Sequence, residues 1–163
     1  MNTWIEAAAA VCAASFIVVL AVSAYWDPSI RVLHVFEAVP YAAAGVLCLR
    51  QNKLGYALGF AGGAFWLWLA AFHTGFVRSG FESLGLLLRT GVVSRPDQLI
   101  AAPAAIATGG LALFAVLGYV RLSSKGWPDV IPWATAVAVV PAFFVGIFAL
   151  FAPQYLAIIE RAF

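Results

Sequence analysis

Charge is what this chain has least of. Only 10% of its 163 residues are Asp, Glu, Lys or Arg, against roughly a quarter in ordinary soluble domains. With 64% hydrophobic residues and a mean hydropathy of +0.99, there is too little polar surface to clothe a water-soluble fold, and lipid is the solvent the composition fits. Nine Lys/Arg stand against seven Asp/Glu, for a net charge of +2. They are scattered, and without a basic stripe beside aromatics nucleic-acid binding is excluded. Polar linkers are missing too, so residues 1–163 read as a single transmembrane helical domain. Cys12 and Cys48 are the only cysteines, both within apolar runs. No CxxC, CxxCH or zinc spacing accompanies them, and they read as two buried thiols acting as small hydrophobes rather than a disulfide. No Ser/His/Asp set and no phosphate-cradling loop occurs. Hydrolase, protease and kinase chemistry therefore have no residues to stand on, and we expect no catalytic activity of the chain's own.

Long apolar runs are what it does have. Ala7 to Trp26 is a stretch of twenty uncharged residues, about 30 Å as a helix and enough to cross the hydrocarbon. Trp4 and Tyr25-Trp26 stand at its ends like interfacial anchors. Val22-Ser23-Ala24 resembles a signal-peptide cleavage site, but the preceding segment has no Lys or Arg and carries Glu6, so the helix is read as retained. The pattern predicts an all-α integral membrane bundle of about five transmembrane helices, near 4–26, 28–49, 54–77, 96–120 and 129–152, with a short interfacial helix at 81–93.

Punctuation residues support these limits. Asp27-Pro28 reads as an N-cap and N1 proline for the second helix, with Arg31 spaced to pair with Asp27. Pro40 and Pro141 should bend their helices. Gly55, Gly59 and Gly63 form two overlapping GxxxG steps on the third helix, a face for close helix approach, and the alanines of the first helix offer another. Trp66 and Trp68 lie about 200° apart on a helical wheel, so at least one should pack on protein or on a partner. Phe81, Leu84 and Leu88 recur at helical spacing with Glu82 and Arg89 off that stripe, the pattern of a helix lying in the interface. Ser94 to Asp97 has the form of a capping box for the fourth helix, and Tyr155 to Phe163 reads as an interfacial tail. Arg50, Lys53, Arg121 and Lys125 fall in the short loops on the N-terminal side. The positive-inside rule then puts the N-terminus in the cytoplasm of what we take to be a bacterial inner membrane.

The pattern places function on the hairpin from Asp27 to Val77, whose arms hold both histidines. His34 lies roughly 9 Å inside the second helix and His73 roughly 6 Å from the end of the third, measured from the same face. Glu37 follows His34 at i+3 and shares its side. Two histidines and a carboxylate, His34, His73 and Glu37, are a first shell for a transition metal, and His34 with His73 would suit a bis-imidazole haem. The plainer arrangement has His34 and Glu37 bonded to each other, or to a carbonyl freed by Pro40, while His73 faces headgroups. A bare carboxylate facing lipid costs on the order of 3 kcal/mol, so Glu37 must be protonated, paired with Arg31 or His34, or turned inward. Glu6 and Glu160 read as boundary markers, and Glu82 with Arg89 as a solvated face. Three roles compete: an accessory subunit of a larger membrane complex such as a redox or oxidase-type assembly, which is the preferred reading; a haem- or metal-binding protein; and a proton or small-solute conductor with Glu37 as titrating group. Expected partners are the lipid bilayer, bound lipid and other membrane subunits.

Overall fold

The computed structural model describes residues 3–93, 95–153 and 156, and all the regular structure among them is helical. The elements are α1 (Trp4–Trp26), α2 (Arg31–Leu49), α3 (Lys53–Trp68), α4 (Phe76–Thr90), α5 (Pro96–Leu99), α6 (Ala101–Arg121) and α7 (Val130–Phe151). A 3-10 turn at Pro28–Ile30 leads into α2, a π turn at Leu69–His73 extends α3, and a second 3-10 turn at Trp127–Asp129 leads into α7. Counted with these extensions, five helices are long and apolar enough to cross a membrane: Trp4–Trp26, Pro28–Leu49, Lys53–His73, Pro96–Arg121 and Trp127–Phe151. The segments expected to begin a capping box at Ser94 and to form a tail after Tyr155 fall on or run through residues outside the described ones.

The third span sits at the centre. It packs on α2, α6 and α7, and half of its most apolar window is buried, against 22% for the fifth span. Glycine makes this possible. A Cβ at Gly63 would collide with the Thr108 carbonyl oxygen and sit 3.1 Å from the Ala112 methyl, and one at Gly59 would lie 3.2 Å from the Ala115 methyl. The GxxxG steps are thus the seam between α3 and α6, while Gly55 presses on Leu47 and Cys48 across the α2–α3 turn. The alanine face of α1 works in the same way: Ala9 and Ala13 are buried, and Gly45 of α2 stands over Ala10 and Ala13. Where no hydrophobic force joins helix to helix, such close contact is what holds them.

Several local expectations change. The 54–77 run is not one α-helix. It stops being α-helical at Trp68, winds through the π turn, and breaks at Gly75, whose φ of +64° suits glycine. α4 therefore begins five residues before the expected 81 and ends at Thr90. Asp27 does not pair with Arg31: its carboxylate accepts from the Ser29 amide and hydroxyl (3.0 and 2.6 Å), while Arg31 Nε leans 3.5 Å from the Ala24 carbonyl oxygen. Both mid-span tryptophans pack on protein, Trp66 on Phe16 (5.3 Å) and Trp68 on Phe65 (6.0 Å). Cys12 and Cys48 are free thiols, Cys48 fully buried.

If the glycine seam holds α3 to α6, Gly63→Leu should lower stability by about 1–3 kcal/mol through overpacking. Gly85→Ala on α4, where an added Cβ meets nothing within 4 Å, should lose nothing. Unfolding midpoints in mixed detergent and dodecyl sulfate micelles read both, and equal behaviour of the two variants would contradict the seam.

Candidate functional site

At the end of the bundle where α1 finishes and α2 begins, a cavity of about 560 Å³ lies between α1, α2, the π turn, the start of α4, α5 and the last turns of α7. Its floor is apolar and well packed, with Leu33 and Phe144 only 3% and 1% exposed. Trp66, Phe76 and Phe148 add aromatic wall. Trp26, Asp27, Thr74 and Asp97 stand around its exposed rim.

One polar constellation reaches into this apolar lining. His34 Nδ1 lies 2.5 Å from Glu37 Oε2, and His34 Nε2 lies 3.0 Å from Ser23 Oγ on α1. With Glu37 as a carboxylate, which only accepts, Nδ1 is the donor, and Nε2 of a neutral ring accepts from the Ser23 hydroxyl. The helix supplies the geometry, since i and i+3 lie on one face. Both side chains are nearly enclosed, at 13% and 8% exposure. Glu37 is thus turned inward and paired with His34, as the cost of a lipid-facing carboxylate requires. One turn further along the same face, the Tyr41 hydroxyl donates to the Gly62 carbonyl oxygen at 3.1 Å. At the rim, the Ser29 hydroxyl and amide hold the Asp27 carboxyl below the usual aspartate range, with a smaller contribution from His34. Asp97 is bound twice by Arg95, at 3.0 and 3.2 Å.

His73 does not join the pair. Its ring stands edge-on to Trp68, with centroids 4.5 Å apart, and it is absent from the cavity lining. The π turn accounts for this, because the wider turn rotates His73 away from the direction an uninterrupted α-helix would give it. Among the described residues no group of three His, Cys, Asp or Glu could hold a metal ion, so the expected His34–Glu37–His73 metal centre is not assembled.

The opposite end of the bundle is closed by polar contacts that the sequence reading missed. Glu6 is no boundary marker: it is 6% exposed, and the Tyr56 hydroxyl donates to its Oε1 at 3.2 Å. Nearby, Lys53 Nζ reaches Asp129 Oδ1 at 2.5 Å and also the Ser124 carbonyl, while the Tyr119 hydroxyl and the Gly126 amide donate to Asp129 Oδ2 at 3.0 and 3.1 Å. The signal for this clasp was faint. Asp129 read as a helix opener and Lys53 as a loop charge, and nothing local to either position points to a partner 76 residues away. On α4, Arg78 and Glu82 form an exposed i,i+4 pair at 2.8 Å.

No protein-family model matches the chain, and neither the curated proteins nor the solved structures contain a significant match to it.

Truncating His34 leaves Glu37 buried without this donor, a loss of about 1–3 kcal/mol for a charged group. A double-mutant cycle with His34→Ala and Glu37→Gln should return a coupling energy of about 0.5–3 kcal/mol, read from the same micellar unfolding midpoints. Simple additivity would mean that the two side chains do not depend on each other.

Proposed function

We propose that the protein is an integral membrane binding protein whose cavity takes a small amphiphilic molecule, with the His34–Glu37–Ser23 constellation meeting its polar part. The observation that carries this reading is a cavity of about 560 Å³ with aromatic and aliphatic walls and one hydrogen-bonded acid–imidazole pair projecting into it. That combination, mostly apolar lining with a few convergent polar groups and a volume inside the roughly 300–1,000 Å³ range, is what small-molecule sites look like. In this reading α4 lies in the membrane interface with Phe81 and Leu88 toward lipid and the Arg78–Glu82 pair toward water. With the N-terminus in the cytoplasm, the cavity rim at Trp26, Asp27 and Asp97 is on the opposite side of a bacterial inner membrane. A ligand would then arrive from outside the cell or from the outer leaflet.

Protein purified in mild detergent should carry a small molecule at one per chain in native mass spectra. Ala70→Phe, which places a ring where a buried alanine now lines the cavity, should abolish that adduct while leaving the helical circular dichroism unchanged. The same adducts on both proteins would defeat the reading.

Membership of a larger membrane complex is a second reading. It is favoured by how little chain lies outside the five spans, the longest such segment, residues 74–95, being mostly the helix α4 docked through Gly80 on Ala101 and Ala102. Blue-native electrophoresis should then show a band well above the 17.3 kDa chain with fixed partners.

A further inference from the structure

The lining of the cavity says which sign of charge its ligand carries. Carboxylates contribute from three positions, Asp27, Glu37 and Asp97, whereas no Lys or Arg lines the cavity among the described residues. Asp97 is neutralised from outside by Arg95. Arg31, the nearest cation in sequence, is exposed and directs its Nε to the Ala24 carbonyl oxygen. That leaves Asp27 at the rim and Glu37 deep inside, against at most one imidazolium at His34. Apart from His34, the ionisable side chains of the lining are all acids. Around it stand Trp26, Trp66, Phe76, Phe144 and Phe148, whose ring faces attract cations, most strongly in tryptophan and more so where water is excluded. An anion would meet two carboxylates with no guanidinium or ammonium to offset them. A neutral molecule would gain nothing from the Asp27 carboxylate at the exposed rim, whereas a cation would be attracted to it.

We propose that the ligand is a hydrophobic organic cation, with its apolar body against the aromatic walls and its charge between Asp27 and Glu37. The proposal rests on the binding reading above and deepens it. The route is legible in the structure: an exposed carboxylate at the rim attracts the cation, and a buried one, held in place by His34 and Ser23, retains it. His34, itself held by Ser23, engages Glu37 Oε2, which leaves the other oxygen, Oε1, as the atom available to a ligand. Because Glu37 belongs to α2 and the aromatic walls belong to α1, α3, α4 and α7, a bound cation would tie most of the bundle together at this end.

The test uses the full chain in detergent and three probes of similar size and different charge: methyltriphenylphosphonium, triphenylphosphine oxide and tetraphenylborate, followed by equilibrium dialysis. The phosphonium should bind at one per chain and at least tenfold more tightly than the neutral oxide, with no saturable binding of the borate. Glu37→Gln should weaken the phosphonium at least tenfold and the oxide little; Asp27→Asn should weaken it severalfold; Ala70→Phe should remove saturable binding altogether. Glu37→Asp, which keeps the charge, should restore part of the affinity and guards against mistaking a folding defect for a lost counter-ion. Equal binding of the phosphonium and the oxide, or a phosphonium affinity indifferent to Glu37→Gln, would overturn the cation assignment and leave the cavity as a site for neutral amphiphiles. Preferential binding of the borate would overturn the assignment outright. Saturable binding of none of the three would remove both the assignment and the binding reading beneath it.

Discussion

Close approach of small residues is the constraint on which this fold depends. In hydrocarbon, burying a leucine between two helices gains little over leaving it in lipid, so helices associate through packing and polar contacts. The contacts that bring backbones together are Gly63 on Thr108, Gly59 on Ala115, Gly45 on Ala13 and Gly55 on Cys48. Three of them join the third span to α6 and α2 and fix it as the centre, and Gly45 joins α2 to α1. Large rings then fill the space that small residues leave. Phe16, Tyr41 and Phe144 interlock in the core, with Phe16 and Tyr41 centroids 4.5 Å apart. The fifth span is the exception. Its apolar residues Ile131, Val137 and Leu150 are largely exposed, and it meets α3 mainly through aromatic and aliphatic side chains.

Buried acids add a second level of order. Among the described residues, two take a donor from another element, Glu6 from Tyr56 of α3 and Asp129 from Lys53 of α3 and Tyr119 of α6, while Glu37 is held by His34 of its own helix, which in turn meets Ser23 of α1. Such pairings are demanding, since removing one partner strands the other in a low-dielectric site. The two ends of the bundle use them differently. Around Asp129 the donors converge until the carboxylate is saturated, and the end is shut. Around Glu37 one donor, His34, stands on one side and a cavity stands on the other.

The helices were legible because hydrocarbon imposes a simple rule on sequence, about twenty apolar residues per crossing. The first and second spans were read to the residue or close to it, from charge-free runs and from Asp27-Pro28. The glycine steps at 55, 59 and 63 announced a packing face, although not that α6 was its partner. Glu37 was legible for the same energetic reason: a carboxylate within an apolar helix has few affordable environments, and the pairing with His34 at i+3 was among them. Contacts between distant segments were not legible. Lys53 with Asp129 and Tyr56 with Glu6 depend on which helix ends are neighbours, and hydropathy carries no information about that.

The break at Trp68 shows most clearly why the site itself lay beyond sequence reasoning. Residues 54–77 contain no proline and no charge, and by composition nothing distinguishes Leu69–His73 from the α-helix before it. Yet the chain there bonds i to i−5, with the Thr74 amide donating to the Leu69 carbonyl oxygen at 3.1 Å, and then turns through Gly75. The consequences are local and concrete. His73 swings onto Trp68, away from His34, and the metal centre drawn on an ideal helix disappears. Leu69, Ala70, Thr74 and Phe76 come instead to face the α1–α2 end, where they form one wall of the cavity. π turns recur at functional sites because one inserted residue re-aims side chains without breaking the helix's own hydrogen bonding. Here the turn exchanges a second histidine for open apolar volume beside Glu37. That exchange leaves this end with a single acid–imidazole pair in an apolar cavity rather than a coordination sphere.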